Sequence, residues 1–421
     1  MNESLTASAA QATKPAYRTL WLVLLGAAGA FALTMGVRQT MGLFLSALNT
    51  STALGVGSIS LAFAFGQLWW GLTQPFAGAV ADRIGTGRVI FIGVVLVAIG
   101  TVITPLMTST AGLILAIGVL AAGGAGMAGP SVLMGATTRL VPPEKRGLAT
   151  GIVNAGGSFG QFAMAPIAIG LTAAVGWAGA MQWLGVLVLL ALPAAFLLKG
   201  NSKALAAQAA AASGQKALTA REAVSQALAT PSYRYLALGF LVCGFHVAFL
   251  ATHLPSVIAA CGLPAEVGGW SLGMIGLFNI VGSLAMGWAV GRWRMKSLLS
   301  LLYATRGLAV LIFLFAPKTT GVMLVFAAVM GVTFLSTVPP TAGLVAKMFG
   351  PANMAMLFGI VMLAHQVGGF LGAFLGGYIF QATGSYDWVW YIDIMLAVGA
   401  ALVNLPIREA LLPARTAKVA A

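Results

Sequence analysis

The chain has 421 residues, 60% of them hydrophobic and only 7% charged, with 22 Lys and Arg against 8 Asp and Glu. A soluble chain carries roughly 25% charged residues to cover its surface, so this composition excludes most soluble folds and makes a lipid bilayer the solvent. A spanning helix takes about 20 apolar residues, and about a dozen such stretches use nearly all the length, which leaves no room for a large soluble domain.

Residues 1–16 are polar and Ala-rich and lack the basic region, short apolar run and cleavage site of a signal peptide, so a short cytoplasmic tail is expected. Apolar stretches then fall near 18–48, 57–81, 88–107, 111–138, 147–175 and 178–198, followed by six more near 233–260, 267–290, 297–316, 320–345, 354–381 and 388–407. In chain order these are spans 1 to 12. Residues 199–231 between the two sets are Ala-rich, polar and basic, and predict a cytoplasmic linker with an amphipathic helical piece. The expected organisation is a six-helix bundle over 1–198, the linker over 199–231, and a second six-helix bundle over 232–421 with a short cytoplasmic tail.

Charge sets the expected orientation. With the N-terminus cytoplasmic, 19 basic residues fall on that side and only Lys318 on the other, a strong positive-inside pattern that needs an even number of spans. The positive excess therefore faces anionic lipid rather than nucleic acid. Arg38 and Arg306 are the two basic residues left over, and both lie within spans.

The halves resemble each other. GAVADRIGTGR after span 2 (Gly78 to Arg88) has a counterpart in GWAVGRWRMK after span 8 (Gly287 to Lys296), and GIVNAGGSFG opening span 5 matches GIVMLAHQVG opening span 11. Transporters built as such repeats bind substrate near the midplane between halves and alternate access by rocking one half against the other.

The stretch Gly78 to Arg88 resembles the signature loop between helices 2 and 3 of the major facilitator superfamily. GVRQTMGLF (Gly36 to Phe44), VPPEKRGLATGIVNAGGSFGQF (Val141 to Phe162), CGFHVAFLATHLP (Cys243 to Pro255) and AHQVGGFLGAFLGGY (Ala364 to Tyr378) are similar to a bacterial branch grouped with monocarboxylate porters. The resemblance covers nearly the whole chain. It implies an all-α membrane protein with 12 transmembrane helices in two pseudo-symmetric six-helix bundles, working as a monomer in a bacterial inner membrane with both termini cytoplasmic. It also implies that Asp82, Arg83 and Arg88 latch helix ends as gating residues; the second copy has Gly291-Arg292 in place of the acid and arginine, so gating is expected to be asymmetric.

Ionisable groups inside spans are costly and mark function. Arg38 cannot shed its proton, and it is expected either to bind a substrate carboxylate or to be held by backbone carbonyls and Gln side chains. Arg306 is the second candidate anchor, with a structural contact to a neighbouring helix as its alternative. His246, on the span that mirrors span 1 and near the depth of Arg38, is the candidate for proton coupling, or a hydrogen-bonded packing residue. His253 is expected nearer the outer surface, in a gate or merely solvated. Asp393 is the one acid placed within a span, on peripheral span 12.

Polar stripes add candidates for substrate contact: Gln67, Trp70 and Gln74 on one face of span 2, Asn154, Ser158 and Gln161 on one face of span 5, Asn279 on span 8, and His365 with Gln366 on span 11. Glycine runs on spans 4, 5 and 11 predict close helix contact, and Pro75, Pro130, Pro166, Pro255 and Pro339-Pro340 predict kinks. Three His on two spans without a carboxylate at ligand spacing predict no metal site, and no cofactor is expected. Neither a nucleotide-binding loop nor a paired carboxylate points to an enzyme or an ATP-driven pump. Inward cationic and protonatable candidates with almost no acid favour a secondary transporter of small organic anions, monocarboxylates first, moved with a proton; the alternative is uptake or proton-driven efflux of a neutral or cationic solute.

Overall fold

In a bilayer every backbone N–H and C=O needs a partner within the protein, which only helices or closed barrels provide for a spanning segment. The computed structural model describes residues 17–140, 146–199, 220–349 and 354–410, and among them all regular secondary structure is helical. The N-terminal tail, most of the linker and the end of the C-terminal tail lie outside the described residues; from the linker, the described part is the helix Ala220–Ala229.

Among the described residues, ten helices are long and apolar enough to cross a membrane. One of them, Gly151–Leu197, holds two crossings, because the chain turns at Gly176 with φ 74° and ψ 169°, between spans 5 and 6. Val56–Ile84, 29 residues long, is a further crossing, since spans 1 and 3 flank it; Gln67, Trp69, Trp70 and Gln74 lower its apolar character. The helices therefore make twelve passes.

Several passes are interrupted. Span 1 runs as Tyr17–Thr40, a 3-10 turn Met41–Phe44 and a short helix Leu45–Thr52. Span 4 contains a π-helical stretch, Ile114–Ala121, and restarts at Pro130 after a turn. Span 10 is split into Thr320–Thr333 and Val338–Phe349, with Pro339 and Pro340 in the first turn of the second piece, where a missing N–H costs nothing. Pro75, Pro166 and Pro255, by contrast, lie inside helices that continue through them.

Two apolar cores form. One gathers buried residues from Val23 to Leu198; the other runs from Ala227 to Ile407 and takes in Ala165. Within each half, spans approach as closely as glycine allows. A Cβ on Gly160 of span 5 would lie 1.9 Å from the Ala32 carbonyl oxygen of span 1, and one on Gly368 of span 11 would lie 1.8 Å from that of Leu241 on span 7. Gly160 and Gly368 occupy equivalent places in the two copies of the repeat, so the repeat is one of packing as well as of sequence.

Contacts across the halves run between spans 2 and 11 and between spans 5 and 8. At the end of the bundle remote from the termini, the Gly57 N–H donates to Gln381 Oε1 at 2.7 Å, and the Ser46 and Ser256 hydroxyls lie 3.4 Å apart. There the 3-10 turn of span 1 abuts span 7, with Gly42 against the Ala251 carbonyl.

Gly160→Ala and Gly368→Ala are expected to lose at least about 1–3 kcal/mol through overpacking. Gly170→Ala, where a Cβ meets nothing within 4 Å, is the control. Thermal unfolding in detergent reads the difference, and equal midpoints for all three variants would refute the close-packing account.

Candidate functional site

Arg38 lies in the last turn of Tyr17–Thr40, where span 1 loosens into the 3-10 turn. The last carbonyls of a helix lose their partners, and the Thr40 hydroxyl donates to two of them, Gly36 O at 3.1 Å and Val37 O at 2.9 Å. Its neighbour Arg38 is left to point at span 2. There Nη2 donates to Gln67 Oε1, and the guanidinium carbon sits 4.5 Å from the centre of the Trp70 ring. Such a cation–π contact is worth about 2 kcal/mol when desolvated. Gln67 and Trp70 are three residues apart on one helix face, so the stripe read from the sequence is the cradle of this cation. The ion pairs among the described residues are His246 with Asp393 and Lys347 with Glu409, so no described carboxylate neutralises Arg38.

Arg38 is partly exposed, and the space it faces is a cavity between the helices. Spans 1, 2, 3, 4 and 7 line it. Gln39, Gln67, Thr101 and Thr252 supply polar groups; Met41, Phe63, Val97 and Ile117 supply apolar ones. Ile117 and Ala121 belong to the π-helical stretch of span 4, a deviation often found at functional sites. An apolar wall with a few convergent polar groups and one cation suits a small amphiphilic anion. Gln39, Thr101 and Thr252 were not among the residues singled out from the sequence; single polar residues within apolar stretches were their only signal.

The remaining candidates lie elsewhere. Trp70 flanks Arg38 rather than walling the cavity. Gln74 accepts the Ser131 hydroxyl at 2.9 Å, tying span 2 to span 4. Asn154 is half-buried and Gln161 is buried with its Nε2 unpartnered; neither lines the cavity. Asn279 joins the halves: its Nδ2 donates to the Ser158 hydroxyl of span 5 at 2.9 Å, while its Oδ1 accepts the Leu335 N–H at 3.0 Å within the break of span 10. His365 packs 4.9 Å from the Phe240 ring, and Gln366 lies against Gly71 of span 2.

Arg306 makes a structural contact to a neighbouring helix, the alternative expected for it. It is 1% exposed and does not reach the cavity: Nη2 donates to the Thr333 and Phe334 carbonyls, and Nε to the Thr333 hydroxyl at 3.3 Å. Those carbonyls are freed where span 10 breaks, at the negative end of a helix dipole, which is a natural seat for a cation. His246 also faces away from the cavity, toward Asp393 of span 12 at 3.2 Å, and Asp393 is as buried as any core residue despite its peripheral span. His253 is fully buried rather than solvated, with Nε2 2.7 Å from the Ala373 carbonyl. At the terminus-side end, Arg83 and Arg88 are exposed, and the Asp82 side chain lies outside what is described.

Arg306→Met should strip the donor from two buried carbonyls, at about 1–3 kcal/mol each. A lowered unfolding temperature in detergent is the expected result; an unchanged one would show that span 10 keeps its break without this residue.

A family model for the Major Facilitator Superfamily matches residues 20–321 and 236–420. Monocarboxylate transporter 13 of Rattus norvegicus is 25% identical over 391 residues, covering 92% of this chain and 89% of the relative. The uncharacterized MFS-type transporter YcxA of Bacillus subtilis is 25% identical over 405 residues, covering 92% and 95%. Monocarboxylate transporter 11 of Homo sapiens is 25% identical over 412 residues, covering 93% and 83%. With a family match over nearly the whole chain and twelve helical passes, the protein belongs to the Major Facilitator Superfamily and is a multi-pass membrane transporter.

Proposed function

We propose that the protein moves small monocarboxylate anions together with a proton by alternating access, with Arg38 as the anchor for the carboxylate. The observation that carries this reading is a cation at a largely apolar cavity, held among the described residues by a neutral amide, a thioether and an indole ring. Arginine stays charged, and a charge inside a membrane protein is stabilised best by an opposite charge with matched geometry. A carboxylate replacing Gln67 Oε1 supplies that. The apolar remainder of the wall, with Phe63, Val97 and Ile117, suits a short hydrocarbon tail. Several similar proteins carry the name monocarboxylate transporter, which agrees with this substrate class.

A cationic cargo fits poorly, because Arg38 would repel it and the one carboxylate within a described span is shut away from the cavity. Coupling to a proton offsets the anion's charge during the crossing, so that translocation moves no net charge. The two bundles, 1–198 and 232–421, rock about the contacts of spans 2 with 11 and 5 with 8. The excess of basic residues in the loops on the side of the termini supports a cytoplasmic location for both; the setting of this reading is a bacterial inner membrane, with the monomer as the working unit.

Uptake of a labelled monocarboxylate such as pyruvate into proteoliposomes, driven by an inward proton gradient, tests the reading. Arg38→Gln is expected to lower uptake at least about tenfold, the loss of one charge-assisted contact, while the protein stays folded by thermal unfolding. Arg38→Lys should fall between, since an ammonium keeps the charge but not the fork. Full uptake by Arg38→Gln would remove the anchor. A panel of carboxylates that raises the unfolding temperature of the wild type but not of Arg38→Gln would identify the substrate.

A further inference from the structure

The second polar cluster, in the C-terminal half, has no part in the cavity. Arg306 on span 9, His246 on span 7 and Asp393 on span 12 are each 1% exposed, so three ionisable side chains share one apolar core. His246 Nε2 is 3.2 Å from the backbone oxygen of Asp393 and 3.2 Å from its Oδ1. A carbonyl can only accept, so Nε2 carries the hydrogen, and this one N–H faces two acceptors. Three atoms remain without a hydrogen-bond partner: Asp393 Oδ1, His246 Nδ1 and Arg306 Nη1. Such incomplete satisfaction is unfavourable for a static ion pair and is what a site with a movable proton presents.

We propose that Asp393 and His246 form a proton-binding site, and that its occupancy sets how firmly Arg306 holds the break in span 10. This rests on the proton-coupled reading above and locates the proton at a distance from the anion. When Asp393 is ionised, its carboxylate attracts the Arg306 guanidinium, which is buried in the same half with Nη1 unpartnered. A proton from water adding to Oδ1 turns the carboxylate into a carboxylic acid, the attraction ends, and Arg306 is left to the Thr333 and Phe334 carbonyls alone. The break matters beyond its own helix. Asn279 accepts the Leu335 N–H within it and donates to Ser158 in the other half, so a change at the break bears on a contact between the two moving bodies.

Other ionisable groups pack around the site. From span 9, the Tyr303 hydroxyl donates to Gly239 O at 2.6 Å; from span 7, Cys243 Sγ is 3.1 Å from the Thr337 hydroxyl of span 10; from span 11, His365 stacks near Phe240. Asp393 is the one carboxylic acid in the cluster, so a proton taken up there removes the negative charge that opposes the fixed arginine.

Two measurements decide the matter. In purified protein, infrared difference spectra between low and high pH should show a carboxylic-acid carbonyl band that disappears as pH rises. The band should be absent from Asp393→Asn, and in His246→Gln its midpoint should move by about one pH unit, equivalent to roughly tenfold in proton affinity. A band unchanged in Asp393→Asn overturns the proposal. If that variant fails to fold, an unmoved midpoint in His246→Gln overturns it instead. In proteoliposomes, Asp393→Asn should keep exchange of labelled for unlabelled pyruvate yet lose at least about tenfold of the accumulation driven by a proton gradient; wild-type accumulation by the variant overturns the proposal. Should the wild type not move pyruvate, the substrate reading fails for that anion, and the infrared result still decides whether the proton site exists.

Discussion

No polar group within the bilayer can turn to water, and this constraint orders the whole structure. Backbone groups satisfy it by forming helices, and the places where helices loosen then acquire side-chain partners. Thr40 covers carbonyls at the end of the first piece of span 1, and Arg306 and Asn279 serve the carbonyls and an N–H at the break in span 10. The two arginines within spans, alike in the sequence, divide along this line. Arg306 gives its Nη2 and Nε to the break in span 10. Arg38 is held by side chains alone and faces a cavity.

The sequence repeat is kept in packing and abandoned in chemistry. Gly160 and Gly368 let span 1 meet span 5 and span 7 meet span 11 in the same way. Arg38 and His246, 208 positions apart like the repeated Gly151 and Gly359, stand at matching places on mirrored helices. Yet one faces a cavity and the other faces Asp393. Duplicated scaffolds thus carry a cavity-facing cation in one half and a buried acid and base in the other.

Much of this was legible in the residues. Apolar run lengths gave the passes, and the three-residue spacing of Gln67 and Trp70 identified the face that cradles Arg38, because helical periodicity is a local property. Arg306 and Asp393 were harder. Where span 10 breaks is marked only by Pro339-Pro340, which follow it, and nothing local says that an arginine 27 residues earlier will fill it. Asp393 looked peripheral because its helix is; which side of a helix meets a neighbour is settled by tertiary packing. The same limit hid Thr101 and Thr252, whose common cavity is formed by helices far apart in sequence.

The hydrogen bond from Gly57 to Gln381 has a bearing on how the remote end of the bundle can part. Gly57 sits in the first turn of its helix, where the N–H has no partner within the helix in any conformation. Its donor must be met by Gln381 when the halves touch and by water when they separate. The two partners are nearly equal in enthalpy, so this one contact adds little to the cost of parting the halves, and the packing around it sets the rest.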